Sequence, residues 1–252
     1  MKNPLDFTGK TVWVTGAGRG IGLEVANQFC QLGARVIGFD LTFDAPAYVF
    51  QCVVLDISDE QEVARVTANV LTDFPVLDVL VNGAGILRLG SLETTTLEDF
   101  QHCFNVNAGG PFLMIKHTMA TFKRQRQGAI VTISSNAAKV PRQNMAAYCA
   151  SKAALSALSH TAGLELAPHG VRCNVVCPGS TDTPMQRMLW STDDAEANTI
   201  KGFPEQYKLG IPLGKIAQPS DIAQTVLFFA SSMSNHITMQ DVVVDGGATL
   251  NA

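Results

Sequence analysis

Tyr148 and Lys152 stand four residues apart in the run "AAYCASK", and that pair is able to do proton chemistry. A free phenol titrates near 10, so a tyrosine acting as a base near pH 7 needs its phenolate stabilised by about three pH units, or roughly 4 kcal/mol. A lysine one helical turn on lies on the same face and supplies a cation. Spacing alone leaves the pair open, because the edge of any amphipathic helix also carries polar residues one turn apart. Cys149, inside the same run, falls about 100° round the helix and is assigned to packing. A second run, "TGAGRGIG" from Thr15 to Gly22, offers phosphate chemistry. Gly16, Gly20 and Gly22 remove side chains where the backbone must turn tightly and approach a pyrophosphate, and the helix that follows adds N–H groups and the positive end of its dipole. Such a loop by itself is equally compatible with an ordinary tight turn.

Asp40 closes the run "ARVIGFD". A carboxylate there can accept hydrogen bonds from both ribose hydroxyls of an adenosine and would repel a 2′-phosphate. Arg19, in the glycine loop, pulls toward a 2′-phosphate. The acid carries more weight because it sits where the 2′-oxygen would be, so NAD is expected rather than NADP. Asp56 ends the next apolar run, "FQCVVLD", and "NGAG" at Asn82 to Gly85 ends the one after. Three successive strands thus deliver nucleotide-compatible groups to one edge.

The elements that must position these residues follow from hydrophobic period. Strand-like runs "TVWVTG", "ARVIGFD", "FQCVVLD", "LDVLVNGAG", "GAIVTISS", "VRCNVVCPG" and "DVVVDGG" alternate with helical patterns from about Ile21 to Leu32, Asp59 to Thr72, through the long run after Ala146, and Ser220 to Ala230. Strands apolar on both faces and separated by helices indicate a parallel sheet covered on both sides. The expected fold is therefore α/β, a single-domain, Rossmann-like, doubly wound parallel sheet of about seven strands, with one domain spanning residues 1–252. The stretch from about 180 to 215 lacks a clear period and follows the C-terminal end of a strand, where open α/β sheets bind ligands; it is expected to be a mobile substrate lid.

"TGAGRGIG", "NGAG", Asn107, Ser135, "YCASK" and "PGSTDT" occur in the order and at the separations of the short-chain dehydrogenase/reductase family, and the chain resembles that family over nearly its whole length. The resemblance implies that Ser135, Tyr148, Lys152 and Asn107 are the catalytic residues. It implies that NAD is held by Gly16, Arg19, Gly20, Ile21, Gly22, Asp40, Asp56, Ile57, Asn82, Ala84, Gly85, Tyr148, Lys152, Pro178, Gly179, Thr181 and Thr183, the last beside the nicotinamide carboxamide. It also implies a homotetramer. The reaction expected is oxidation of a secondary alcohol, with Tyr148 taking the hydroxyl proton, Ser135 holding the oxygen and hydride passing to the nicotinamide. In "NVNAGGP", Pro111 has no N–H to offer the Asn107 carbonyl four residues earlier; members of the family use that carbonyl to hold a water on the lysine's path to solvent, and Pro111 is expected to help keep it free.

Substrate choice must come from the lid and from residues near the tyrosine. Arg142, in "VPRQNMAAY", and Arg88, in "NGAGILRLG", are both placed to face the crevice, and a positive group beside the nicotinamide suggests a small anionic substrate, a carboxylate. Met145, Gln186, Met185, Leu189 and Trp190 are further candidates for the pocket wall. An NADPH-dependent 3-oxoacyl-carrier-protein reductase shares the motif set but would favour basic residues in place of Asp40. The intact Ser135, Tyr148 and Lys152 argue against a non-catalytic NAD(H)-binding sensor or scaffold, and leave room for docking to the enzyme that uses the product.

Composition bounds the rest. The 252 residues are 46% hydrophobic and 16% charged, enough apolar side chain for a large core and an oligomer interface. A net charge of −4 with no basic cluster beyond "KRQR" argues against nucleic acid. The absence of a signal layout or a long apolar run argues for a cytoplasmic chain with no membrane partner. Cys30, Cys52, Cys103, Cys149, Cys173 and Cys177 form no C-x-x-C pairs, so neither zinc nor disulfides are expected.

Overall fold

The computed structural model describes residues 4–45, 47–190 and 192–250. Its strands are β1 (Thr11–Thr15), β2 (Arg35–Asp40), β3 (Gln51–Val54), β4 (Val79–Asn82), β5 (Gly128–Ile133), β6 (Val171–Pro178), β7 (Gly202–Phe203), β8 (Lys208–Leu209) and β9 (Asp241–Val244). Its α-helices are α1 (Gly20–Gln31), α2 (Glu60–Asp73), α3 (Leu97–Phe104), α4 (Gly110–Gln125), α5 (Ala146–Leu166), α6 (Pro184–Arg187), α7 (Ala195–Lys201) and α8 (Pro219–Ala230). Seven strands form one parallel sheet in the order β3-β2-β1-β4-β5-β6-β9, the doubly wound sheet expected. The order reverses between β1 and β4, and at such a switch point the loops at the strands' carboxyl ends part to leave a crevice.

Alternation along the strands divides the core. Trp13, Ile37, Phe39, Leu80 and Ile130 pack against Val63, Val66, Met114, Phe122 and Leu166 of α2, α4 and α5. Val12, Val14, Val36, Val81 and Val131 face the other way, onto Val25, Phe29, Val226 and Phe229 of α1 and α8. Every residue of β1 is buried, which is why its sequence reads as a continuous β-branched and aromatic run. Helix starts are fixed locally. The Asp59 side chain accepts from the Glu62 N–H ahead of α2, the Thr96 hydroxyl accepts from the Asp99 N–H ahead of α3, and a Gln218–Asp221 capping box precedes α8 with Pro219 in its first turn.

The 180–215 segment, read from sequence as aperiodic, holds α6, α7 and an antiparallel β7–β8 hairpin. Elements of two to seven residues are too short to leave a readable hydrophobic period. No described helix is long and apolar enough to cross a membrane.

Candidate active site

The loop after β1 is shaped by what its glycines lack. Gly16 has φ +73, and a Cβ there would lie 2.7 Å from the Ala84 nitrogen. A Cβ on Gly22 would lie 2.0 Å from the Gly16 carbonyl oxygen. Neither position tolerates a side chain, so β1, the helix start and the "NGAG" turn close on one another. Thr15 Oγ1 pins that turn by accepting from the N–H groups of Gly83 and Ala84 at 3.1 and 3.2 Å. Helix α1 begins with no side-chain cap on Arg19 and no acidic residue in its first turn, leaving its N–H groups and dipole for an anion.

Asp40 sits at the end of β2 with Oδ2 accepting from the Gly18 N–H and Oδ1 from the Leu41 N–H, each at 2.8 Å. Each oxygen keeps acceptor capacity for a hydroxyl. Arg19, one residue past Gly18, is exposed. Asp56 spends Oδ1 on the Ser58 N–H and hydroxyl, and Ile57 is buried with its side chain against Gly110, where a Cβ would meet Ile57 Cδ1 at 2.4 Å. Asn82 Oδ1 is buried without a partner. A glycine-rich loop, an uncapped helix start, a carboxylate at the second strand and an unsatisfied buried amide oxygen together fit a nicotinamide dinucleotide.

Tyr148 and Lys152 lie in the first two turns of α5. Lys152 is 4% exposed; its Nζ donates to the Ile133 carbonyl at 2.8 Å and stands 5.8 Å from the centre of the Tyr148 ring. Ser135 lies beyond β5 rather than on it, capping the short helical turn Asn136–Ala138, where its Oγ accepts from the Ala137 N–H at 3.1 Å. Asn107 is fully buried and spent on structure: Oδ1 accepts from the Ile86 N–H at 2.8 Å, and Nδ2 donates to the Ile86 carbonyl at 2.9 Å and to Ser151 Oγ at 3.0 Å. Ser151 Oγ in turn donates to the Tyr148 carbonyl at 2.8 Å. Sequence reasoning missed Ser151, the link between Asn107 and the tyrosine's backbone, because a serine in a small-residue helix carries no signal of its own. Gly85 lies where these groups meet, since a Cβ there would be 3.2 Å from Asn107 Oδ1 and 3.3 Å from Lys152 Nζ.

The electrostatics differ from the simple expectation that Lys152 draws the phenol down. Burial raises Tyr148 to about 12, the Ser135 hydroxyl opposing it, and burial lowers Lys152 to about 8. A lysine that is itself desolvated and turned toward a carbonyl gives up part of the charge it would lend its neighbour. The backbone at Asn107 also differs from a proline-broken α-helix. Residues Asn105–Gly109 form a π turn in which the Gly110 N–H reaches back five residues to the Asn105 carbonyl, so the register widens before Pro111, which then occupies the first turn of α4.

Tyr148, Lys152 and Ser135 open onto a cavity of about 560 Å³. Ile21, Gly83 and Gly85 line one end and Pro178, Gly179, Thr181 and Thr183 the wall beside it. A Cβ on Gly20 would lie 3.5 Å from Thr183 Cγ2, so the glycine loop and the segment after β6 face each other. Arg142, Met145, Met185, Gln186 and Leu189 also line the cavity. Arg88 is a correction: it is not among the lining residues, and its guanidinium sits 3.5 Å from Asp99 on an exposed face. Its loop turns outward while Leu87 and Leu89 face the cavity. Trp190 is absent from the wall as well. Thr199, Phe203 and Lys208 join it instead, brought in by α7 and the β7–β8 hairpin.

A family model described as enoyl-(acyl carrier protein) reductase matches residues 16–249, and the chain belongs to the short-chain dehydrogenase/reductase family. It is 57% identical to the 2,3-dihydro-2,3-dihydroxybenzoate dehydrogenase of Escherichia coli (strain K12), over 98% of this chain and 100% of that protein. It is 40% identical to the vibriobactin-specific 2,3-dihydro-2,3-dihydroxybenzoate dehydrogenase of Vibrio cholerae, over 98% of each chain. Among solved structures, a putative NAD(P)-dependent gluconate 5-dehydrogenase from Beutenbergia cavernae with bound NADP superposes with a TM-score of 0.89 at 29% identity, covering 99% of this chain and 100% of that one.

Proposed function

We propose that the protein oxidises 2,3-dihydro-2,3-dihydroxybenzoate to 2,3-dihydroxybenzoate, using NAD, in siderophore biosynthesis of the enterobactin type. The observation that carries the reading is the convergence of Ser135, Tyr148 and Lys152 with the cation Arg142 on one cavity that, among the described residues, no carboxylate side chain lines. The 57% identity to a protein named for this reaction supports it.

When bound, NAD⁺ supplies the hydride acceptor and a positive ring beside Tyr148. Asp40 would hold the adenosine ribose, the start of α1 the pyrophosphate, and Asn82–Gly85 with Pro178–Thr183 the nicotinamide half. Ser135 holds the carbinol oxygen. Tyr148 takes its hydroxyl proton, and the carbinol carbon becomes a ketone once its hydrogen has left with its electron pair. Lys152 lowers the cost of the phenolate, and Asn107, through Ser151, fixes where α5 presents it. The ketone then tautomerises, a ring carbon giving up its proton as the ketone oxygen takes one, to become the aromatic diol, and the gain in aromaticity makes the direction effectively one-way.

The Asp40 carboxylate, at the end of β2 beside the Gly18 N–H, supports NAD over NADP, since it would repel a 2′-phosphate, against the weaker pull of exposed Arg19. Exposed Phe100, Phe112 and Leu164 provide apolar surface for the homotetramer that forms part of the proposal, as does docking to the enzyme that activates 2,3-dihydroxybenzoate. The free cysteines fit a reducing cytoplasm. Appearance of NADH when NAD⁺ and the dihydrodiol acid are added to the protein, and its loss in Tyr148→Phe, is the test. A wild-type protein that yields no NADH from this pair would end the reading.

A further inference from the structure

Among the described residues, three cations line the cavity, Arg142, Lys152 and Lys208, and no aspartate or glutamate does. Lys152 is engaged by the Ile133 carbonyl next to Tyr148. Among the described residues, Arg142 and Lys208 enter none of the ion pairs. Asp245 acts on Arg142 only at a distance, because its oxygens are taken by the Asn136 amide, the Gly247 N–H and the Thr249 hydroxyl.

The two cations come from distant parts of the chain. Arg142 lies in the loop ahead of α5, and Lys208 on β8, opposite Phe203 of β7. The hairpin aims Lys208. Tyr207 closes the turn in the left-handed region at φ 53, a Cβ on Gly202 would lie 2.4 Å from the Gly210 nitrogen, and the Lys208 ammonium rests 5.4 Å from the centre of the Phe203 ring. Arg142 and Lys208 line the same cavity, and burial first, then the Arg142 charge, depresses the Lys208 ammonium. Half-buried like charges without a counter-ion are costly, and an anion between them removes that cost.

We propose that Lys208 and Arg142 together form a two-cation seat for the substrate carboxylate, with Lys208 carried to it by the β7–β8 hairpin. The proposal rests on the substrate reading above and names the second residue that recognises the acid. A planar guanidinium can meet both carboxylate oxygens while an ammonium approaches one of them as a point charge, so the pair selects a carboxylate from a neutral diol of the same ring.

The test uses the full-length protein saturated with NADH and compares binding of 2,3-dihydroxybenzoate with that of catechol, which lacks the carboxylate, by calorimetry. The wild type is expected to favour the acid. Lys208→Gln should lower affinity for 2,3-dihydroxybenzoate about tenfold, equivalent to about 1.4 kcal/mol, and leave catechol within about twofold, while Lys208→Arg restores most of the preference. No preference in the wild type, an unchanged preference in Lys208→Gln, or an equal loss for both ligands would overturn the seat. Turnover of the dihydrodiol acid, measured on the same preparations, separates the two ideas. A wild type that does not oxidise it but prefers the acid through Lys208 overturns the function and keeps the seat. Normal turnover with an unchanged KM in Lys208→Gln does the reverse.

Discussion

Replacing Lys152 by methionine should make the protein more stable while abolishing its proposed chemistry. Lys152 is 4% exposed, and burial holds its ammonium at about 8 against an ordinary 10.5. Between those values the unfolded chain binds more protons than the folded one, so the lysine's contribution to stability rises with pH across that window. Below it both states are protonated, and the full cost of the buried charge is present, about 3 kcal/mol at 1.36 kcal/mol per pH unit. Methionine keeps the length of the side chain and removes the charge, but it leaves the Ile133 carbonyl without its 2.8 Å donor, at a cost of about 1–2 kcal/mol. With neither dinucleotide nor substrate present, Lys152→Met should therefore exceed the wild type by about 1–2 kcal/mol near neutral pH. That advantage should shrink by about 2 kcal/mol between roughly pH 7.5 and 9.5. Tyr148 and the six thiols have the opposite sign. Burial raises all of them, so both proteins lose stability as the unfolded thiols and phenol ionise. Taking the difference between variant and wild type removes that common part. Urea denaturation at fixed protein concentration, followed by circular dichroism over this pH range, gives the difference directly. A gap that stays constant across the range would refute the argument that Lys152 is a buried charge held against its solvation.

Tyr148→Phe should lower kcat by about 10²- to 10⁴-fold, the usual range for a lost general base, while the dissociation constant for NADH stays within about twofold; NADH absorbance and fluorescence titration check the two halves. Asp40→Ser removes a charged acceptor worth about 1.5–3 kcal/mol, so kcat/KM for NAD⁺ should fall by about ten- to a hundredfold and that for NADP⁺ should rise. A ratio of the two that moves less than about threefold would show that Asp40 does not choose the cofactor. Gly110→Ala places a methyl 2.4 Å from Ile57 Cδ1 and should cost about 1–3 kcal/mol through overpacking, with KM for NAD⁺ raised more than kcat is lowered; steady-state kinetics beside a thermal melt would test that split.

The sheet and the convergence of Ser135, Tyr148 and Lys152 on one cavity were legible for a shared reason: each sits on or beside a long element with a fixed period. A strand buried on both faces announces itself as β1 does, and once β1, β2 and β4 are in register, Asp40 and the "NGAG" turn fall at the same edge. Tyr148 and Lys152 share a face because α5 runs unbroken from Ala146 to Leu166. The departures arise where placement depends on contacts distant in sequence. Arg88 follows β4 closely enough to suggest the crevice, but nothing within its loop says that Asp99, at the start of α3, will take its guanidinium. The π turn at Asn105–Gly109 resembles any helical stretch ending in Gly-Gly-Pro, since five-residue and four-residue hydrogen bonds draw on the same side chains. Lys208 reads as one solvated lysine in an aperiodic segment until the hairpin turns it inward. The same division separates chemistry from substrate. Hydride transfer needs a few groups at fixed spacing on rigid elements, whereas selection of a carboxylate draws on the loop before α5 and a hairpin more than sixty residues later in the chain. Residues at that second kind of site become visible only when the cavity shows two cations, Arg142 and Lys208, besides Lys152, with no carboxylate among the described residues that line it.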